Sequence, residues 1–404
     1  MLTVFKKTNE EVITENDIKD NSTIDFSKVS DKIADELKKS KKELGHVNII
    51  LTGKSGAGKS TLINAVFRKK LAKTGIGRPV TQETKIYAHK ELPLRLYDTV
   101  GIELSVERQE KVKNDLLEII NKGKNDPEQE IHAILYCVKS TSSRFEPFEA
   151  DFIKEISENN RTPVIIVITD TRDNDEGKKL NKETERIIRE KQVSTVKNII
   201  NVLALECENK KPFGLGDLIE SIYDIIPDNA RDAFVNVQNV VISMKVKRAQ
   251  KWLTGFIVSS FTTGAAPIPF ADAPILIANQ VSMLAKITSL FGMDNFDKAM
   301  LTTMISTVIG CGGATIAGKT IVTNLLKLIP GANLVGGLIS GTTAAVLTGA
   351  LGEAYITVLS KLCKGEISEC NMINALKEEF EKHNFKKQQK NILGYISKKK
   401  KEIQ

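Results

Sequence analysis

The sequence predicts an α/β domain with a mostly parallel sheet, followed by an all-α domain rich in glycine and alanine. Three observations carry this. From residue 47 to 226, short apolar runs alternate with stretches of helical periodicity, the pattern of strands covered by helices on both faces. Within that region a glycine-rich loop joins the first strand to the first helix. After Pro227 the strand patterns stop, and Gly, Ala, Thr and Ile dominate.

Residues 1–46 form a charged N-terminal extension. Val29, Ile33 and Leu37 recur every four residues there, which predicts a helix over 27–44. Val47-Asn48-Ile49-Ile50-Leu51 reads as a buried strand. Leu62, Ile63, Ala65 and Val66 stand at helical spacing just beyond it. Further strands are expected over 94–97, 133–138, 164–168 and 199–205, with a closing helix over 218–226. One amphipathic helix is expected over 231–251, with Lys245, Lys247, Arg248 and Lys251 as its basic residues. The expected divisions are therefore 47–228 for the α/β domain, 229–385 for the helical domain and 386–404 for a basic tail.

Composition limits the classes open to this chain. With 404 residues, 41% apolar and 27% charged, it has the make-up of a folded protein of two or three domains. The net charge of +8 favours acidic partners without choosing among lipid, RNA and nucleotide phosphates. No basic motif interleaved with aromatics points to nucleic acid. Five scattered cysteines without C-x-x-C spacing argue for reduced thiols in a cytosolic setting. The four histidines do not cluster, so no His/Cys metal site is expected, and Met1 to Glu10 lacks the pattern of a secretory signal.

The strongest motif is Gly53-Lys54-Ser55-Gly56-Ala57-Gly58-Lys59-Ser60, followed by Thr61, which fits G-x-x-x-x-G-K-[ST]. Gly53, Gly56 and Gly58 let the backbone turn its N–H groups inward on an anion. Lys59 can reach β and γ phosphates, the Ser60 hydroxyl can ligate Mg2+, and the helix that follows adds its positive end. A second match, Gly313 to Thr320, lies in a long small-residue segment with no bounded strand before it, and reads as helix contacts. Asp98-Thr99-Val100-Gly101 follows a strand and places a carboxylate near the metal, with the Gly101 N–H available to a γ-phosphate. In the intervening loop Thr81 is the choice, and Thr84 the alternative, for a threonine that closes over Mg2+ and the γ-phosphate.

In this order, Gly53 to Thr61, Thr81 and Asp98 to Gly101 resemble the Era/TrmE/septin-like branch of the translation-factor-related (TRAFAC) P-loop GTPases, over roughly residues 47–228. The resemblance implies GTP and GDP as ligands, Mg2+ as cofactor, Lys59 and Thr81 in catalysis, and Ser60, Thr81 and Asp98 around the metal. That family also carries an [NT]-K-x-D motif that reads the base. Here the corresponding stretch is Thr169-Asp170-Thr171-Arg172-Asp173. Thr169 matches, Asp170 stands where Lys is expected, Arg172 stands where Asp is expected, and Asp173 falls one residue late. Thr169 and Asp170 are taken as the base-side residues, with Asp173 the alternative carboxylate. Ile102 stands where Ras-like proteins carry the water-orienting Gln, so slow intrinsic hydrolysis, accelerated by a homodimer or protein partner, is expected.

The stretch from Ala265 to Pro274, with Gln280, Met283 and Ile287, resembles the YcjF-type domain of unknown function, over roughly 240–360. Residues 299–318 and 328–352 carry no charged side chain and are long enough to cross a bilayer. Gly337 and Gly341 form a G-x-x-x-G that permits close helix approach in lipid. An anionic membrane surface and a packed helical core are equal expectations here, so the expected location is cytoplasmic, with membrane association as one of the two alternatives.

Overall fold

The computed structural model describes residues 26–67, 85–88, 92–99, 106–142, 144–263, 272–293 and 341–382, and the structural statements below concern those. By backbone packing the chain divides into two units. Lys38–Ala249 with Thr288–Asp294 make one; Met1–Leu37, Gln250–Ile287 and Asn295–Gln404 belong to the other.

The first unit is built on β1 (Val47–Gly53), β2 (Lys85–Ala88), β3 (Leu94–Asp98), β4 (Ala133–Lys139), β5 (Val164–Thr169) and β6 (Val196–Asn201). Their order across the sheet is β2-β3-β1-β4-β5-β6. Neighbours from β3 to β6 run parallel, and β2 pairs antiparallel with β3. Every residue of β1 and β5 is buried, which their near-continuous apolar runs anticipate for strands covered on both faces. The mostly parallel α/β class read from the sequence is the class observed.

Helices α1 (Phe26–Glu43), α2 (Lys59–Val66), α3 (Val106–Asn125), α4 (Pro147–Ser157), α5 (Asn174–Glu190) and α6 (Leu215–Ile225) alternate with the strands. One apolar cluster joins Leu116 and Ile120 of α3, Ile134 and Tyr136 of β4, Ile153 and Ile156 of α4, and Ile166 and Ile168 of β5. Burying such side chains contributes about 1.5–3 kcal/mol each, so this face contributes substantially to the sheet's stability. The chain leaves β1 toward β3 on one side and later adds β4 on the other. The C-terminal end of β1 therefore lies at a switch in strand order, where open α/β sheets bind ligands.

Two expectations are corrected. The strand expected over 199–205 is β6, which lies earlier. After Asn201 the chain is held by a bridge between Leu203 and Phe213, whose backbones exchange two bonds of 3.1 Å, and Leu205 is 61% exposed. The single helix expected over 231–251 is two: α7 (Asp228–Val237) and α8 (Ile242–Thr263). Gln238 separates them. Its Oε1 accepts from the N–H groups of Val240 and Val241, both at 2.9 Å, and its Nε2 donates to the Val241 carbonyl. That side chain offers the backbone local partners in place of helical ones, and periodicity alone does not register such competition. The basic residues of α8 also differ in setting, since Lys245 and Arg248 are buried while Lys247 and Lys251 are exposed.

Within the second unit lie the later part of α8, α9 (Asp272–Phe291) up to Ile287, α10 (Gly341–Cys363) and α11 (Met372–Glu381). Ser260 and Thr348 share a buried hydrogen bond of 2.8 Å, and Asn279 donates to Ser260 at 2.6 Å. A Cβ on Gly352 would stand 2.2 Å from Leu253 Cδ1, so a small residue is what lets α10 approach α8 there. Lys361 pairs with Glu379 across α10 and α11 at 3.0 Å. Among the described residues Ala344–Cys363 is long and apolar enough to cross a membrane, and 72% of its most apolar window is buried within the protein. Residues 299–318, 328–340 and the second glycine-lysine motif at 313–320 lie outside the described residues.

Candidate nucleotide-binding site

β1 delivers the glycine-rich loop to its C-terminal end, and α2 begins at its far side. Gly53 closes the strand at φ +132°, where a Cβ would stand 2.2 Å from the Cys137 carbonyl oxygen of β4. Only glycine fits there. Gly58 caps α2 in the left-handed region at φ +79°, and the Leu62 N–H returns to its carbonyl at 2.9 Å. The loop thus ends on the positive end of a helix, with backbone N–H groups available to an anion.

Lys59 is 8% exposed, and its Nζ donates to the carbonyls of Gly53 at 3.1 Å and Lys54 at 3.2 Å. Burial lowers its pKa, against the raising influence of Cys137 and Asp98. A cation held in a low-dielectric recess gains much from an anion brought beside it. Asp98 ends β3 opposite Leu51 of β1 and is fully buried. That register sets Asp98 beside the start of the loop, where its charge acts on Lys59 and on Cys137, whose thiol burial pushes up to about 12. The Ser60 hydroxyl, in the first turn of α2, is partly buried. Ser60 and Asp98 are hard oxygen donors, the set that suits Mg2+ with phosphate oxygens and water rather than zinc. Among the described residues there is no cluster of three or more His, Cys, Asp or Glu side chains. The residues present fit magnesium held jointly with a phosphate.

The loop is held on both sides. Thr169, ending β5, donates its hydroxyl to the Ala57 carbonyl at 2.7 Å. Lys54 reaches the other way, to Glu146 at 2.7 Å and Glu149 at 3.0 Å. Thr169, expected on the base side, has its hydroxyl on the glycine-rich loop. Thr61 is partly buried in α2. Thr81, Thr84, Gly101 and Ile102 lie outside the described residues.

On the base side, Asp170 adopts φ +51°, a left-handed position that short polar side chains tolerate. Its carboxylate accepts from Arg172 Nε at 2.9 Å and Nη2 at 3.3 Å, with Lys139 3.7 Å away. Arg172 is further tied to Glu208 at 3.0 Å. The pKa of Arg172 is raised, chiefly by its bonds to Asp170. Asp173, the alternative carboxylate, is committed elsewhere. It caps α5, accepting from the N–H groups of Asp175 at 2.7 Å and Glu176 at 3.3 Å, which lowers its pKa. Sequence reasoning also missed Glu146 and Glu149. The E-x-x-E around Pro147 is a helix-start signal that could have drawn attention to them.

A loop at the end of the central parallel strand, a buried lysine inside it and a carboxylate from the next strand define a P-loop nucleotide-binding domain of the GTPase fold. Two family models match in agreement: residues 48–170 fit the family described as 50S ribosome-binding GTPase, and residues 229–385 fit a domain of unknown function, DUF697. The chain thus carries a P-loop GTPase domain followed by a DUF697 domain. It is similar to septin-9 of Rattus norvegicus, 29% identical over 170 residues, 35% of this chain and 30% of that one. It is also similar to magnetosome membrane protein 22 of Magnetospirillum gryphiswaldense, 23% identical over 112 residues, 27% of this chain and 55% of that one. The match thus spans under a third of the septin's length. A crystal structure of a probable GTP-binding protein engB aligns with TM-score 0.33 and 18% identity, covering 44% of this chain and 98% of that one.

Proposed function

We propose that the chain is a regulatory GTPase that binds GTP, hydrolyses it slowly to GDP, and couples nucleotide state to its helical domain. The observation that carries this is the buried Lys59 ammonium inside a glycine loop, beside Asp98, at the switch in strand order. In this reading Gly53 to Thr61 cradle the phosphates, Lys59 neutralises β and γ oxygens, and Thr169 and Asp170 face the base. Ser60, Asp98 and Thr81 would hold Mg2+, which supplies charge neutralisation as the phosphoryl group is transferred. The domain division at 47–228 and 229–385, with a basic tail over 386–404, belongs to the same proposal.

The slow rate follows from Ile102, an apolar side chain where an orienting Gln stands in Ras-like proteins. Unaided Ras-type turnover is about 10⁻⁴ s⁻¹, and partners add roughly 10⁵-fold. A homodimer or a protein partner is therefore part of the proposal. The test is binding of GTP, GDP and ATP, each with magnesium, to the full chain and to Lys59→Ala. Guanine nucleotides bound by the wild type and lost in Lys59→Ala support the reading; preference for ATP overturns the guanine assignment.

A second reading is a nucleotide-binding membrane scaffold with little hydrolysis, for which Ala344–Cys363 has the length and composition of a span, although most of it is buried within the protein. The likeness to magnetosome membrane protein 22 supports the same contact. A cytoplasmic protein that meets an anionic membrane surface satisfies both readings. Flotation with anionic liposomes separates them from a freely dissolved GTPase, and measured turnover separates one from the other.

A further inference from the structure

Lys54 is the second residue of the phosphate loop, a place from which a lysine could add a second positive charge to the phosphates. The structure turns it away. Its ammonium donates to Glu146 at 2.7 Å and to Glu149 at 3.0 Å, and lies 5.1 Å from the centre of the Phe148 ring. Glu149 is 1% exposed and fully engaged. One of its oxygens accepts from the Tyr136 hydroxyl at 2.9 Å; the other accepts from Lys54 and from the Glu146 N–H at 2.9 Å. A buried carboxylate is costly unless its charge is met, and here Lys54 meets it. Burial opposes the Lys54 charge, yet the bonds to Glu146 and Glu149 outweigh it and raise its pKa.

The backbone of the same residue does a second job. The Lys54 carbonyl accepts from the Ala57 N–H at 3.2 Å and from Lys59 Nζ at 3.2 Å. Fixing the Lys54 side chain to α4 therefore fixes the carbonyl that sets both the loop's turn and the place of the Lys59 ammonium. A loop with three glycines over six positions loses much conformational freedom when ordered, so a tether that orders it beforehand lowers the cost of receiving a ligand.

We infer that Glu149, supported by Tyr136, is a positioning residue that acts through Lys54 to pre-order the phosphate loop, and that the Lys54 side chain is a tether rather than a phosphate ligand. The inference rests on the nucleotide-binding reading above and specifies how that site is set.

The test uses the full chain with magnesium and a fluorescent guanine nucleotide, measuring affinity, steady-state kcat and KM, and melting temperature. Lys54→Met and Glu149→Gln are each expected to weaken affinity about tenfold, the worth of one charge-assisted hydrogen bond. KM should rise with kcat little changed. Lys54→Arg is expected to restore most of the affinity, since a guanidinium can reach both carboxylates. The double variant should be no weaker than either single one, because both act on one connection. Exchange of the Ser55, Gly56 and Ala57 amides should quicken in Lys54→Met. Glu155→Gln, which removes a surface pair of α4 with Lys113, is the control and should leave affinity unchanged. If either single variant fails to fold, the double variant, which leaves neither charge alone, decides the matter. Wild-type affinity in Lys54→Met, or in that double variant, overturns the inference while the functional reading stands. Absence of nucleotide binding by the wild type overturns the functional reading itself.

Discussion

The hydroxyl of Thr169 donates to the backbone carbonyl of Ala57 across 2.7 Å, joining the end of β5 to the middle of the phosphate loop. A Cβ at the neighbouring Gly58 would lie 3.2 Å from the same hydroxyl, close enough that Thr169 would have to shift by a few tenths of an ångström. The residue from which the loop after β5 departs is thereby mechanically tied to the glycine-rich loop.

Thr169→Val keeps the shape and removes the donor. It leaves the Ala57 carbonyl without this partner, so a loss of about 1–2 kcal/mol in unfolding free energy is expected. Nucleotide affinity should fall as well. Urea unfolding and nucleotide titration of the same samples check both; unchanged affinity would separate the base-side loop from the phosphate site.

Two glycine substitutions should differ sharply. Gly53→Ala forces a Cβ to 2.2 Å from the Cys137 carbonyl, a backbone atom in the middle of the sheet, and should leave little folded protein. Gly56→Ala meets nothing within 4 Å but keeps φ +74°, so only the left-handed strain applies, about 1–2 kcal/mol. Soluble yield and melting temperature distinguish the two.

On the base side the two aspartates should separate by function. Asp173→Ala removes the α5 cap and is expected to cost about 1 kcal/mol of stability without changing nucleotide preference. Asp170→Asn should instead alter the ratio of GTP to ATP affinity and spare the melting temperature. A shift in preference from Asp173→Ala would show that the cap carboxylate also reads the base.

Acid should weaken the fold through His132. Its ring is 5% exposed, and Nδ1 accepts the Asn48 N–H at 3.0 Å, a bond that a proton on Nδ1 would abolish. Burial lowers its pKa from 6.5 to about 4. Below pH 6.5 the unfolded chain takes up a proton that the folded chain refuses. Stability is therefore full above 6.5, falls between 6.5 and 4, and is flat with respect to this group below 4. The loss is on the order of 3 kcal/mol. In His132→Asn, whose Oδ1 can accept the same N–H without titrating, that part of the slope should disappear from melting curves taken across this range.

Much of the site was legible because its chemistry is written in contiguous residues. The loop from Gly53 to Ser60 needs its glycines and its lysine at fixed spacing, and a buried strand such as Val47 to Gly53 declares itself by an unbroken apolar run. Asp98 followed from its place at a strand end. What was not legible depends on partners far apart in the chain. Lys54 meets Glu146 and Glu149 across more than ninety positions, and nothing in the local sequence says that it turns from the phosphates. Asp173 stood as the alternative to Asp170, and its sequence did not say that it caps the first turn of α5. Gln238 divided an amphipathic pattern that periodicity joined, since a side chain bonding its own neighbours leaves no mark on hydrophobic spacing.

Lys245, 2% exposed or less, donates to the carbonyls of Val235 and Asn236 at the end of α7, and to those of Leu290 and Phe291 at 3.4 Å. Asn236 also donates to the Ser289 carbonyl. These late residues thus complete a unit whose sheet is finished by Asn201. A fragment cut at 228 would carry every strand of that sheet and yet lack Lys245, the α7 carbonyls that it holds and the returning segment 288–294, so the unit would be left open where they close it.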